Sequence, residues 1–176
     1  MLVKAIFAGF GGQGVLSMGL SLAQAAMSEG KNVTYLPSYG AEVRGGTANC
    51  TVAISDEEIA SPVASSPDFV VAMNQPSLLR FQNQVQSGGV LLFNSSLVEA
   101  RILRGDIEVI GVAANRIAEE LGSPRSANMV MLGAFTRKSN LVSLSTLIEG
   151  LGSTLKKKEK LIAINKKALM TGYELF

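Results

Sequence analysis

The sequence predicts an α/β protein: a single-domain, Rossmann-like fold with an open, mostly parallel sheet flanked by helices and a helical C-terminal end. Three observations predict it. An apolar run at residues 3–8 leads directly into the loop Gly9-Phe10-Gly11-Gly12-Gln13-Gly14 and then into a helical pattern. With the strand-like and helix-like segments that follow, the order is β-α-β-β-β-α-β-β and then helices, which suits a sheet flanked by helices. The chain has 176 residues, 47% apolar and 17% charged, enough for one core and short for two. Residues 1–176 are therefore expected to form one domain.

The elements follow in order. Residues 3–8 are rich in strand formers. Residues 15–29 read as a helix, with Leu16, Leu20, Ala23 and Met27 at spacings of three and four and Gly30 as its stop. Residues 33–36 form a second strand, so the chain opens as a strand, glycine loop, helix and strand, the start of a parallel sheet. Residues 39–46 are a loop with glycines at 40, 45 and 46. Residues 47–54 alternate as a strand, with Ala48, Cys50, Val52 and Ile54 on one face. A turn at 55–58 precedes a short extended piece at 59–64. Residues 68–73 are a buried strand and 75–85 a helix, with Pro76 tolerated in its first turn. Gly88-Gly89 separates that helix from strands at 90–93 and 107–112. Helices are expected at 115–121, 127–135, 144–155 and from 156 to about 172. No internal repeat or low-complexity tract interrupts the pattern.

Composition excludes several chemistries. One cysteine, Cys50, and no histidine are present. A single thiol cannot close an internal disulfide and suits a reducing, cytoplasmic setting. It cannot hold an iron–sulfur cluster, which takes four thiolates as a rule. The absent histidines exclude a Ser-His-Asp triad and a histidine-built zinc centre. Residues 1–138 carry 10 basic and 11 acidic side chains (net −1) and residues 139–176 carry 6 and 3 (net +3), too weak an asymmetry for nucleic acid. No apolar run reaches a membrane span, and the run before Gly9 is too short for a signal peptide. Low charge with many apolar residues suits partner-covered surface, including a homodimer when the chain is isolated.

Two loops carry the candidate chemistry. Gly9, Gly11 and Gly14 fit G-x-G-x-x-G between a strand and a helix, where glycine permits close backbone approach and free N–H groups attract anions. A dinucleotide site needs an acid at the end of the second strand. Leu36-Pro37-Ser38-Tyr39 stands there, and no carboxylate follows before Glu42, which argues against an ordinary NAD site. No Gly-Lys-Ser/Thr closes the loop, so it is not a Walker loop. Two readings stay open: tight strand-to-helix packing or subunit contact, and a cradle for an anion or cofactor tail. The second loop, Ser38-Tyr39-Gly40-Ala41-Glu42-Val43-Arg44-Gly45-Gly46, lies at the carboxyl edge of the sheet. Its acid and arginine either pair locally in a solvated turn or reach a partner or ligand.

Together the two loops resemble the gamma subunit of 2-oxoacid:ferredoxin oxidoreductases. The likeness continues through Ile54-Ser55-Asp56-Glu57-Glu58-Ile59, Pro67-Asp68, Val71-Ala72-Met73-Asn74-Gln75, Asn128-Met129-Val130-Met131-Leu132-Gly133-Ala134, Asn165 and Gly172-Tyr173. The resemblance implies oxidative decarboxylation of a 2-oxoacid to its acyl-CoA with electrons passed to ferredoxin. It implies alpha, beta and delta-type (ferredoxin-like) partner subunits. Thiamine diphosphate, Mg and Fe–S clusters would sit on those partners, and the gamma chain would support assembly, pack against the thiamine subunits and share in handling coenzyme A on or with them. By the same resemblance Gly9, Gly11, Gly12, Gln13 and Gly14 are cofactor-binding, and Tyr39, Gly40, Glu42, Arg44, Gly45 and Gly46 form a partner or ligand loop. The Glu42-x-Arg44-Gly45-Gly46 form looks most like the 2-oxoglutarate-type branch. The chain alone is then expected to be inactive. The competing readings are a free-standing nucleotide- or coenzyme A-binding Rossmann-like protein and an acyl-carrier-binding module.

Among other residues, Cys50 reads as a small buried hydrophobe, Met129 and Met131 as core or interface, and Asn128 as part of a helix-start turn. Lys156-Lys157-Lys158-Glu159-Lys160 reads as a solvated face or a contact for an acidic partner.

Overall fold

In the computed structural model, residues 1–40, 46–99, 102, 104–154 and 158–176 are described. Six strands form one sheet: β1 (Leu2–Phe10), β2 (Asn32–Tyr39), β3 (Thr47–Ser55), β4 (Phe69–Ala72), β5 (Val90–Asn94) and β6 (Glu108–Val112). Their spatial order is β2-β3-β1-β4-β5-β6. β1, β4, β5 and β6 pair in parallel, whereas β3 runs antiparallel to both β1 and β2.

The sheet is thus mixed. The second strand does not lie beside the first, as a simple parallel opening would have it. β2 and β3 form a hairpin in register from Asn32↔Ser55 to Tyr39↔Ala48, and β3 takes the place beside β1. Burial explains the choice. Ala48, Cys50, Val52, Ala53 and Ile54 of β3 are all buried, so flanking that strand on both sides shields it best. β2 carries Pro37, which has no N–H for an outer neighbour and is tolerated at an edge. Residues 59–64 form no strand and run irregularly.

The period-2 pleat of β1 divides the core. Ala5 and Phe7 point into the larger cluster, and Ile6 and Ala8 into the smaller one. The smaller cluster is closed by α2 (Gln75–Phe81) through Leu78 and Phe81; a 3₁₀ turn at Gln82–Gln84 extends that helix. The larger cluster is covered by α1 (Val15–Ser28), α3 (Ala114–Glu120), α4 (Ala127–Ser139), α5 (Leu144–Thr154) and α6 (Glu159–Tyr173). Of the expected 144–155 and 156–172 helices, residues 155–157 lie outside the described residues.

Helix α1 meets the sheet through Val15, Met18, Gly19, Leu22 and Ala26, not through the whole stripe Leu16, Leu20, Ala23 and Met27. Ala23 is buried, but Leu20 is 40% and Met27 63% exposed. The helix is apolar nearly all round, so periodicity alone does not orient it. Gly19 does: a Cβ there would collide with the Cys50 sulfur on β3. Burial pushes the Cys50 thiol up to about 12, and its sulfur lies 3.5 Å from the Val15 carbonyl oxygen.

Helix α4 is the central helix, buried from Met129 to Thr136. Phe135 packs edge-on against Phe7 and Phe69, with ring centroids 5.1 and 5.4 Å apart. Its contact with α6 is reciprocal through two glycines. A Cβ at Gly133 would strike the Leu169 carbonyl oxygen, and one at Gly172 would strike the Val130 carbonyl oxygen. At the far end of α1, Glu29 accepts the Ser143 N–H at 2.8 Å just before α5. Burial opposes ionisation of Glu29, but the bonds from Ser143 and Thr146 prevail and hold its carboxyl below the usual range.

Candidate functional site

The site lies at the carboxyl end of β1, where β1 hands over to α1. The chain turns there through Gly12 and Gly14, both with positive φ (100° and 73°), a backbone region that favours glycine. α1 starts with no side-chain cap and no acid in its first turn. The first-turn N–H groups of a helix have no partner within the helix, and the dipole is positive there.

The glycines have different tasks. A Cβ on Gly9 would lie 2.7 Å from Gln13 Oε1, 2.8 Å from Val15 Cγ1 and 3.0 Å from Met73 Cβ, and one on Gly14 would collide with the Asn128 carboxamide. Among the described residues, a Cβ on Gly12 would meet nothing within 4 Å. Gly9 and Gly14 therefore make room for packing, whereas Gly12 faces open space. Asn128, on the first turn of α4, abuts this turn from behind and does not line the cleft.

The two glycine loops meet. The Gly11 N–H donates to the Gly46 carbonyl at 2.9 Å, and the Gly40 N–H donates to the Thr47 carbonyl at 3.0 Å. Between them opens a cleft of about 410 Å³ lined by Phe10, Gly11, Gly12, Gly14, Val15, Leu16, Ser17, Tyr39 and Ala48. Tyr39 is 66% exposed at its rim. The Tyr35 hydroxyl donates to the Leu16 carbonyl at 3.1 Å and fastens β2 to α1 beside the cleft.

Of the residues singled out in the sequence, Gly11, Gly12, Gly14 and Tyr39 come together around the cleft. Gly40 extends the β2–β3 pairing beside it through Thr47, and Gly46 bonds Gly11 across β1 and β3. Gly9 and Gln13 stand behind the loop. Glu42, Arg44 and Gly45 lie outside the described residues, as do Lys156 and Lys157.

Behind the loop lies a polar network that motif reading missed. Gln13 Oε1 accepts the Phe10 N–H at 2.7 Å and Asn74 Nδ2 at 2.9 Å, while Gln13 Nε2 donates to the Met73 carbonyl at 3.2 Å. Asn74 Oδ1 caps α2 by accepting the Ser77 N–H at 2.9 Å. Asn94, fully buried at the end of β5, donates to Asn115 Oδ1 at 2.7 Å. The available signal was a carboxamide directly after an apolar strand, as in Ala72-Met73-Asn74 and Leu92-Phe93-Asn94.

A family model, pyruvate ferredoxin/flavodoxin oxidoreductase, matches residues 4–175. The chain belongs to this family. The ketoisovalerate oxidoreductase subunit VorA of Methanothermobacter thermautotrophicus is 45% identical over 98% of this chain and 36% of its own length. The gamma subunit of a keto/oxoacid ferredoxin oxidoreductase from Geobacter sulfurreducens superposes with a TM-score of 0.83 at 30% identity, covering 98% of this chain and 96% of that one. A 2-oxoglutarate:ferredoxin oxidoreductase from Magnetococcus marinus, with 2-oxoglutarate, coenzyme A and succinyl-CoA bound, superposes at 0.91 with 27% identity over 98% of this chain and 30% of that one. This family chain spans about a third of the length of the first curated relatives it matches. Its fold is thus a whole subunit in one relative and part of a longer chain in others. Among the described residues, no helix is long and apolar enough to cross a membrane.

Proposed function

We propose that this chain is the gamma-type subunit of a 2-oxoacid:ferredoxin oxidoreductase, and that its glycine cleft holds the phosphate-bearing part of coenzyme A against alpha, beta and delta-type partners. The observation that carries the reading is the Gly11–Gly46 hydrogen bond, which joins both glycine loops around one cleft at an uncapped helix start. The residues fit an anionic tail. Gly12 offers backbone without side-chain obstruction, Ser17 adds a hydroxyl, and among the described residues no acidic side chain lines the cleft. Gly9 and Gln13 back that surface. Tyr39, Gly40, Glu42, Arg44, Gly45 and Gly46 form the loop that meets ligand or partner. Coenzyme A, when bound, supplies the thiol that takes the acyl group. The Fe–S clusters belong to the partners, because one buried thiol cannot ligate them here, and the family resemblance places thiamine diphosphate and Mg with the partners too. The setting is cytoplasmic.

The Glu42-x-Arg44-Gly45-Gly46 loop supports 2-oxoglutarate as the oxoacid. A second reading, ketoisovalerate, is favoured by the 45% identity to VorA. The ratio of kcat/KM for the two acids in the assembled complex separates them.

Ser17→Asp tests the cleft with effects of opposite sign. An acid in the first turn of α1 complements the dipole and is expected to add about 0.3–1 kcal/mol of stability. The same charge repels a phosphate, and the KM for coenzyme A of the complex is expected to rise at least about tenfold, a loss of about 1.4 kcal/mol. Ser17→Asn, uncharged and nearly isosteric with aspartate, is expected to raise KM far less than Ser17→Asp. Undiminished coenzyme A affinity in Ser17→Asp sinks the reading.

A further inference from the structure

We propose that Gln13 and Asn74 are positioning residues: two interlocked carboxamides that hold loop 9–14 in the shape that offers its backbone to the cleft. The ligand's identity rests on the reading above; the loop geometry does not.

The polarity of the pair is fixed by its surroundings. The atom of Gln13 that faces the Phe10 N–H must be oxygen, which leaves the nitrogen for the Met73 carbonyl. The atom of Asn74 that faces the Ser77 N–H must also be oxygen, so its nitrogen faces Gln13 Oε1. Each carboxamide is thus used at both ends, which no carboxylate or hydroxyl could reproduce. Asn74 is 4% exposed, so a broken bond there leaves a polar group without water to replace it.

The consequence for the loop is geometric. Gln13 sits between Gly12 and Gly14, the two positive-φ positions. Its side chain folds inward beneath the turn, and that anchors the backbone on either side with Gly12 outward. Gly9 lacks a Cβ because the Gln13 oxygen occupies that space. The anchor is itself braced. The Met73 carbonyl that takes Gln13 Nε2 is approached by Asn94 Nδ2 at 3.5 Å, and Asn94 holds Asn115 beyond it. The chain of carboxamides runs along the carboxyl ends of β1, β4, β5 and β6, so the turn is referenced to four parallel strands at once. Glycine-rich turns are intrinsically permissive; this one has a side-chain lock.

Asn74→Asp separates positioning from stability. Aspartate is as good a helix cap as asparagine, so the bond to the Ser77 N–H survives. The donor to Gln13 Oε1 is lost, and two acceptor oxygens then face each other. The variant is prepared in the assembled complex beside Asn74→Ala, which loses the cap as well. For Asn74→Asp the lost bond at a buried site is expected to lower the melting temperature by several degrees, but by less than Asn74→Ala, which loses the cap as well. Amide hydrogen exchange in residues 10–17, measured without coenzyme A, is expected to accelerate at least about tenfold with no change elsewhere. The KM for coenzyme A is expected to rise at least about fivefold while kcat at saturating coenzyme A is retained. Unchanged exchange in residues 10–17 overturns the proposal. So does a loss of melting temperature equal to that of Asn74→Ala with exchange raised throughout, since that marks a merely structural role. Faster exchange with an unchanged KM upholds the positioning role and instead refutes coenzyme A as the ligand of the cleft.

Discussion

Replacing Gly133 with alanine is expected to destabilise the protein by about 3 kcal/mol or more and to lower Tm by roughly 6–12 °C. The added methyl would collide with the Leu169 carbonyl oxygen and lie 2.8 Å from the Tyr173 amide nitrogen. Both are backbone atoms of α6, so no rotamer change relieves the overlap. The helix must move as a body, in a core where Leu169, Ala168 and Leu132 are fully buried and protein interiors are close-packed. Overpacking of a dense core typically costs about 1–3 kcal/mol, and a backbone obstacle on a fully buried central helix belongs at the upper end. About 1 kcal/mol corresponds to roughly 2–4 °C in a chain of this size. Gly172→Ala should behave alike, because its methyl would meet the Val130 carbonyl oxygen. Gly152→Ala on α5 is the control. Among the described residues nothing lies within 4 Å of a Cβ there, and a helical alanine should be neutral or stabilising by up to about 1 kcal/mol. Thermal melts of the three variants check the set; a Gly133→Ala protein as stable as Gly152→Ala would contradict the close helix contact.

Gly9→Ala is expected to damage both stability and the cleft. Its methyl would compete with the Gln13 oxygen and Val15 Cγ1. The Gln13 carboxamide must then withdraw, and its bonds to the Phe10 N–H and Asn74 are lost together. We expect a loss of about 1–3 kcal/mol and a rise of at least about tenfold in the KM for coenzyme A. Gly12→Ala offers the comparison. Among the described residues it meets no neighbour, but it forces a positive φ on alanine, a strain of about 1–3 kcal/mol. Denaturant melts and KM determinations on the complex distinguish the two. If Gly9→Ala keeps wild-type coenzyme A affinity, the glycine loop does not set the ligand site.

The alternation of strand and helix was legible because each strand is a short apolar run bounded by glycine, proline or turn residues. The order of strands in the sheet was not. Placing β3 between β2 and β1 depends on long-range pairing, and the only local hint was Pro37, which marks β2 as an edge strand. The orientation of α1 escaped for a related reason. On a helix apolar on most sides, the glycine opposite Cys50 decides which face can approach, and that partner lies 31 positions away, from 19 to 50. The two glycine loops were legible as motifs, and their meeting through Gly11 and Gly46 was not, because it follows from the antiparallel pairing of β1 with β3. The division of labour among the glycines was not, because it depends on Gln13, Met73 and Asn128 arriving from three separate elements. Asn74, Asn94 and Asn115 read as turn formers in sequence and become a network only once four strand ends are aligned.

The most direct test of the account is oxoacid-dependent ferredoxin reduction by the partner subunits, with this chain withheld and then added back. The account predicts no turnover by the chain alone, little coenzyme A-dependent turnover by the partners without it, and recovery when the four are combined. Turnover by the isolated chain, or full coenzyme A-dependent activity in its absence, would contradict it.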